Sequence, residues 1–148
     1  MSQASLESSI VVEGRYQLET RLEGWGIGEV WKARDKNFRN RPVVMKFLGG
    51  GTDGGAELPD IAMHVKGLRG LRHGSVLPYI NQGAFGPKLW VTQDFFDGVP
   101  LPVLIEEGRR ARGRLEGAQA EACFDAVIAA LAAAHSAQGA YVHGCLQP

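Results

Sequence analysis

The sequence predicts an α+β fold, a five-stranded antiparallel sheet with one helix packed on it, followed by a small helical part. Three observations carry this. Stretches with apolar residues at alternate positions recur between residues 15 and 96, as strands require. A helix-like spacing interrupts them once, behind the glycine-rich segment 49–55. After residue 97 the alternation gives way to helical spacing, strongest over 118–135.

The elements follow in order. Residues 1–12 begin Ser-rich and are expected to form a flexible tail. In "RYQLETRL" (15–22), Tyr16, Leu18, Thr20 and Leu22 alternate as in a strand. "EVWKAR" (29–34) pairs with it across a glycine-bearing turn, and "DKNFRN" (35–40) reads as a second turn. "RPVVMKFL" (41–48) is a third strand with Val44, Lys46 and Leu48 on one face, and "GGGTDGG" (49–55) is expected to be a flexible loop. The helix over 57–73 carries Pro59 in its first turn and Ile61, Val65 and Leu68 at helical spacing. Gly67 and Gly70 weaken it by about 1 kcal/mol each relative to Ala. "SVLPYINQG" and "KLWVTQDFF" supply two more strands, joined by "GAFGP". A turn and short helix follow over 97–108, then the basic run 109–114, read as a loop. The helix over 118–135 places Phe124, Val127, Ile128 and Leu131 on one apolar stripe. There is no internal repeat.

With 148 residues the chain can build one domain with a true core. Lys+Arg and Asp+Glu both number 16, which gives no global charge to favour nucleic acid or a membrane surface. Cys123 and Cys145 lack metal-ligand spacing and read as free thiols of a reducing compartment. No basic segment followed by an apolar run opens the chain, and the apolar run 126–134 is too short to span a bilayer. These features predict a cytoplasmic protein without a metal site.

"LEGWGIGEVWKA" (22–33) carries glycines at 24, 26 and 28, and glycine-rich turns let a backbone approach an anion. The stretches "GRYQLETRLEGWGIGEVWKARD", "RPVVMKFL", "LRHGSVLPY", "LWVTQDFFDGVPL" and "YVHGCLQP" lie in one order from residue 14 onward. In that order and spacing the chain resembles the amino-terminal lobe of a bacterial serine/threonine protein kinase plus the first helices of its larger lobe. The resemblance implies a kinase-like amino-terminal lobe over 13–96 and a partial helical carboxy-terminal lobe over 97–148. It assigns nucleotide contacts to Gly24, Gly26, Gly28, Val30, Lys46, Gln93 and Asp94, if that function is retained. Lys46 stands where the family's lysine holds the α- and β-phosphates, Gln93 at the gatekeeper position, and Asp94 next to it.

The chemistry is altered at each motif. The family's loop reads Leu-Gly-x-Gly-x-x-Gly-x-Val. Between Leu22 and Val30, Glu23 and Trp25 replace its first two glycines and only Gly28 keeps register. The helix position whose glutamate pairs with the lysine falls on His64, with Asp60 one turn earlier. In "HGCLQP" the catalytic aspartate of the family's His-Arg-Asp-Leu-Lys-Pro is replaced by Cys145, two residues after His143. The family's asparagine and Asp-Phe-Gly, which hold Mg²⁺, come after this point. The expectation is therefore an inactive, truncated, pseudokinase-like domain with no catalytic residue and no cofactor. It would bind another protein, or a second copy of itself, through the stripe Phe124, Val127, Ile128 and Leu131. Arg109, Arg110, Arg112 and Arg114 would suit a phosphorylated or acidic partner. Two alternatives stay open: the amino-terminal part of an ATP- and Mg²⁺-dependent serine/threonine kinase, or a sensor that binds ATP without turnover.

Overall fold

Alternating burial along the strands sets the architecture. The computed structural model describes residues 6–23, 28–49, 63 and 65–137. They form β1 (Val11–Val12), β2 (Tyr16–Arg21), β3 (Glu29–Asp35), β4 (Arg41–Leu48), β5 (Tyr79–Phe85) and β6 (Lys88–Asp94), then α1 (Leu101–Arg112) and α2 (Gly117–Ser136). Residues 65–68 are helical, within the helix expected over 57–73. The strands make one antiparallel sheet in the order β1-β2-β3-β4-β6-β5. The chain divides into two units, Met1–Arg69 with Pro78–Phe96, and Gly70–Leu77 with Asp97–Pro148.

The α+β class holds, with six strands rather than five. The added strand corrects the expectation of a flexible tail over 1–12, as far as residues 6–12 are concerned. Val11 and Val12 pair with Gln17 and Tyr16. The Ser9 amide donates to the Leu18 carbonyl at 2.8 Å, and the Leu18 amide to the Ile10 carbonyl at 2.9 Å. Leu6 and Val12 are buried in the main core. Burial of these apolar side chains, each worth roughly 1.5–3 kcal/mol, outweighs the local polarity that suggests a tail.

That core lies on one face of the sheet, where Tyr16, Leu18, Trp31, Ala33, Val43, Met45, Phe47 and Trp90 meet Leu6 and Val12. Tyr16 and Trp90 pack edge to face with centroids 5.4 Å apart. Gly83 lies opposite Trp90, and a Cβ there would sit 2.4 Å from the indole. A bulge between Leu18 and Thr20 breaks the alternation of β2 and leaves Thr20 exposed rather than in phase with Tyr16 and Leu18. β5 runs on through Phe85, so Gly83, Ala84 and Phe85 are strand rather than turn. The hairpin is closed by Gly86 and Pro87 alone, with Gly86 at φ 58°.

In the second unit, Pro102 occupies the first turn of α1, and Gly113 caps its end in the left-handed conformation, its amide bonding to the Arg109 carbonyl at 2.9 Å. Arg109, Arg110 and Arg112 therefore belong to the last turn of a helix, which corrects the loop expected over 109–114. Cations there complement the helix dipole. α2 extends the helix expected over 118–135 by one residue at each end. Taken whole, it is long and apolar enough, at mean hydropathy 1.3, to cross a membrane by length and composition. The core helix of a soluble domain passes the same test.

Candidate functional site

The second face of the sheet carries Lys46. In register, Lys46 lies between Val30 of β3 and Val91 of β6, both buried. Leu48, Val65, Leu89, Val91 and Tyr79 form a second apolar cluster on this face. Lys46 is thus a half-buried ammonium among aliphatic neighbours, and that burial pushes its pKa below the ordinary lysine value. Among the described residues no ion pair reaches it. His64 and Asp60, the positions expected to face it, lie outside the described residues. Burial also raises the pKa of the neighbouring Tyr79 hydroxyl.

The structure brings Val30, Lys46 and Gln93 to this one face. Gln93 is buried and pairs with Val44 and Tyr79, one diagonal step from Lys46. Asp94 projects to the opposite face, where its carboxylate meets Arg41 at 3.2 Å. Alternation in β6 makes the separation unavoidable, since adjacent residues of a strand face opposite ways.

Gly28 stands at the start of β3 with φ 84°, and a Cβ on it would lie 2.4 Å from the Phe47 carbonyl oxygen. The close approach of β4 alone demands glycine here. The hairpin is tied behind it by the Leu22 amide, which donates to the Val30 carbonyl at 2.8 Å. Glu23 is exposed. Gly24, Trp25 and Gly26 lie outside the described residues, as do His143 and Cys145.

The remaining predicted residues divide between the two helices. Arg109 and Arg110 both bind Glu106, at 2.9 and 2.7 Å, and Arg112 binds Glu116 at 3.4 Å. The hydrogen bonds from Arg109 and then Arg110 hold the Glu106 carboxyl below its ordinary pKa. Three of the four arginines are thus locally compensated, while Arg114 is exposed. On α2, Phe124 is 66% and Ile128 49% exposed, while Val127 and Leu131 are half-buried. The described residues contain no group of three or more His, Cys, Asp or Glu side chains able to hold a metal ion.

Sequence reasoning missed a cluster at the β3–β4 turn. Arg15 donates two hydrogen bonds to Asp35, at 2.8 and 2.7 Å, and Asp35 also accepts from the Asn37 amide at 3.2 Å. Arg15 further lies over the rings of Tyr16 and Phe38. The signal was available in the placement of Arg15 and Asp35 at the two ends of a predicted hairpin.

Sheet order, a lysine on β4 facing the second cluster and the helices that follow define the fold as a protein-kinase-like amino-terminal lobe continuing into the start of a helical lobe. Among solved structures, two double mutants of the PknI kinase domain of Mycobacterium tuberculosis match with TM-scores of 0.79 and 0.76 at 22% identity. They cover 97% of this chain and 57% and 56% of their own. The PknI kinase domain without those changes matches at 0.73 and 23% identity, over 88% of this chain and 52% of its own. The chain thus spans a little over half the length of these kinase domains. No protein-family model matches the sequence.

Proposed function

We propose that the chain is a kinase-like module that does not transfer phosphate and acts in signalling by binding another protein. The observation that carries this is the setting of Lys46. Phosphoryl transfer in protein kinases requires this lysine to be held by a carboxylate, with Mg²⁺ positioned beyond it. Here it stands on an aliphatic face with no carboxylate partner among the described residues, and the helix position that supplies one in the family is His64. Cys145 at the catalytic-base position supports the same reading, because a thiol does not replace a positioned carboxylate as base. Gly28 does not oppose it, since β4 requires that glycine whether or not a phosphate is bound. The test is incubation with labelled ATP, Mg²⁺ or Mn²⁺ and a basic protein substrate. Transfer above that of Lys46→Ala overturns the reading.

A second reading has its own observation. The chain covers 52–57% of the solved kinase domains it matches, as the amino-terminal part of an ATP-dependent serine/threonine kinase would. Val30, Lys46 and Gln93 on one face are the wall such a nucleotide site needs. Saturable ATP binding by this chain, strengthened by Mg²⁺ and lost in Lys46→Ala, favours it. Binding without transfer favours the ATP sensor.

A further inference from the structure

We propose that the β3–β4 turn, residues 36–40, is a docking surface for an acidic peptide segment of another protein. The turn presents Phe38, 59% exposed, between two guanidinium groups. Arg15 and Arg41 lie 5.6 and 5.5 Å from its ring centroid. Each arginine is itself fixed, Arg15 by its paired hydrogen bonds to Asp35 and Arg41 by Asp94. The backbone is fixed too. Arg39 and Asn40 are consecutive left-handed residues, φ 51° and 55°, in a turn closed by the Arg41 amide on the Phe38 carbonyl at 2.9 Å. Two consecutive positive-φ residues are what a tight hairpin turn requires, and Asn40 suits that conformation. An exposed aromatic clamped in this way has little freedom left to lose on binding. Phenylalanine and arginine are also residue types enriched at protein interfaces.

Charge selects the partner. Arg15, Arg34 and Arg41 are matched by Asp35, Glu19 and Asp94. Lys36 and Arg39 are exposed and have no ion pair among the described residues. In a chain with equal numbers of acidic and basic residues, this turn is a local excess of positive charge around an aromatic ring. It fits a short segment in which carboxylates flank an apolar side chain. The three carboxylates set among the cations disfavour a continuous phosphate backbone, which binds by neutralising successive charges. The surface is distinct from the Lys46 face and is available to an active or an inactive lobe alike.

The test is fluorescence polarisation with a labelled peptide of alternating Glu and Leu, beside a Lys-Leu peptide and a short single-stranded DNA. Saturable binding of the Glu-Leu peptide alone is expected. Phe38→Ala and Arg39→Asn should each weaken it about fivefold or more, the effect of losing an interface anchor. Arg39→Asn removes the charge while placing at φ 51° a residue that tolerates it, so folding is preserved, and Lys36→Gln provides a second charge variant outside the left-handed pair. Arg21→Gln, an exposed residue at the opposite end of β2, should leave binding unchanged. No saturation below millimolar protein overturns the proposal, as does equal or tighter binding of the DNA or the Lys-Leu peptide. Arg39→Asn and Lys36→Gln proteins that bind as the parent does, or an Arg21→Gln protein weakened as much as they are, also overturn it.

Discussion

Arg15 and Asp35 close the far end of the β2–β3 hairpin through two parallel hydrogen bonds, with the Asp35 side chain wholly buried and that of Arg15 23% exposed. Asp35→Asn should destabilise the lobe by about 3 kcal/mol, the low end of the range for losing one partner of a buried pair, because Arg15 keeps a route to water. The Arg15 hydrogen bonds hold the Asp35 carboxyl below the ordinary aspartate pKa. Its folded-state value is then lower than its unfolded one. The contribution is complete above about pH 4 and is lost as pH falls through the folded value. Urea midpoints of parent and Asp35→Asn should differ at neutral pH and converge below about pH 4.

Gly28→Ala should melt lower than Gly14→Ala. Both glycines have positive φ, but a Cβ at Gly14 meets nothing within 4 Å, whereas one at Gly28 meets the Phe47 carbonyl oxygen at 2.4 Å. The conformational cost of about 1–2 kcal/mol is common to both, so the excess at Gly28 measures the approach of β4. Thermal melting without nucleotide reads it directly.

Lys46→Met should leave stability unchanged or raise it at neutral pH, because it removes a desolvated charge that no described carboxylate repays. The pH dependence has a definite sign. With its folded pKa below its unfolded one, Lys46 binds fewer protons when folded, so parent stability should gain on Lys46→Met as pH rises from neutral through the folded value. Chemical denaturation at stepped pH checks this, and a strongly destabilised Lys46→Met protein would reveal an anionic partner.

If the α2 stripe is an interface between copies of this chain, light scattering after size exclusion should give more than a monomer mass at tens of micromolar. Ile128→Asp should then return the monomer without lowering the melting temperature, since Ile128 is half exposed. A monomeric parent rules out the pairing.

Much of the sheet was legible because its strands are long enough for alternation to show. "RPVVMKFL" is β4 to the residue, and "KLWVTQDFF" contains β6. β1 was not legible, since two residues carry no period and Val11–Val12 is a strand only through its pairing with β2. The basic run at 109–114 read as a loop because charge hid the helical continuation that ends at Gly113. At the candidate site, the alternation of "VVMK" placed Val44 and Lys46 on one face. The separation of Asp94 from Gln93 follows from the same rule, yet the family motif grouped them. The contacts of Arg15 with Asp35 and with the Phe38 ring join residues about twenty positions apart, and only the hairpin register brings them together.

The main core runs from Leu6, in the first segment described, to Trp90 in β6. Strand order places β6 beside β4, with β5 outside it. The apolar side chains of β1 to β4 therefore acquire their last partner only after the segment that contains β5 has been made. Leu6, Val12, Tyr16 and Phe47 precede Trp90, a member of the same cluster, by more than forty residues. Completing it requires contacts distant in sequence, a topology associated with slow folding. Apolar surface exposed in such an interval is the kind that makes partly folded chains prone to aggregate.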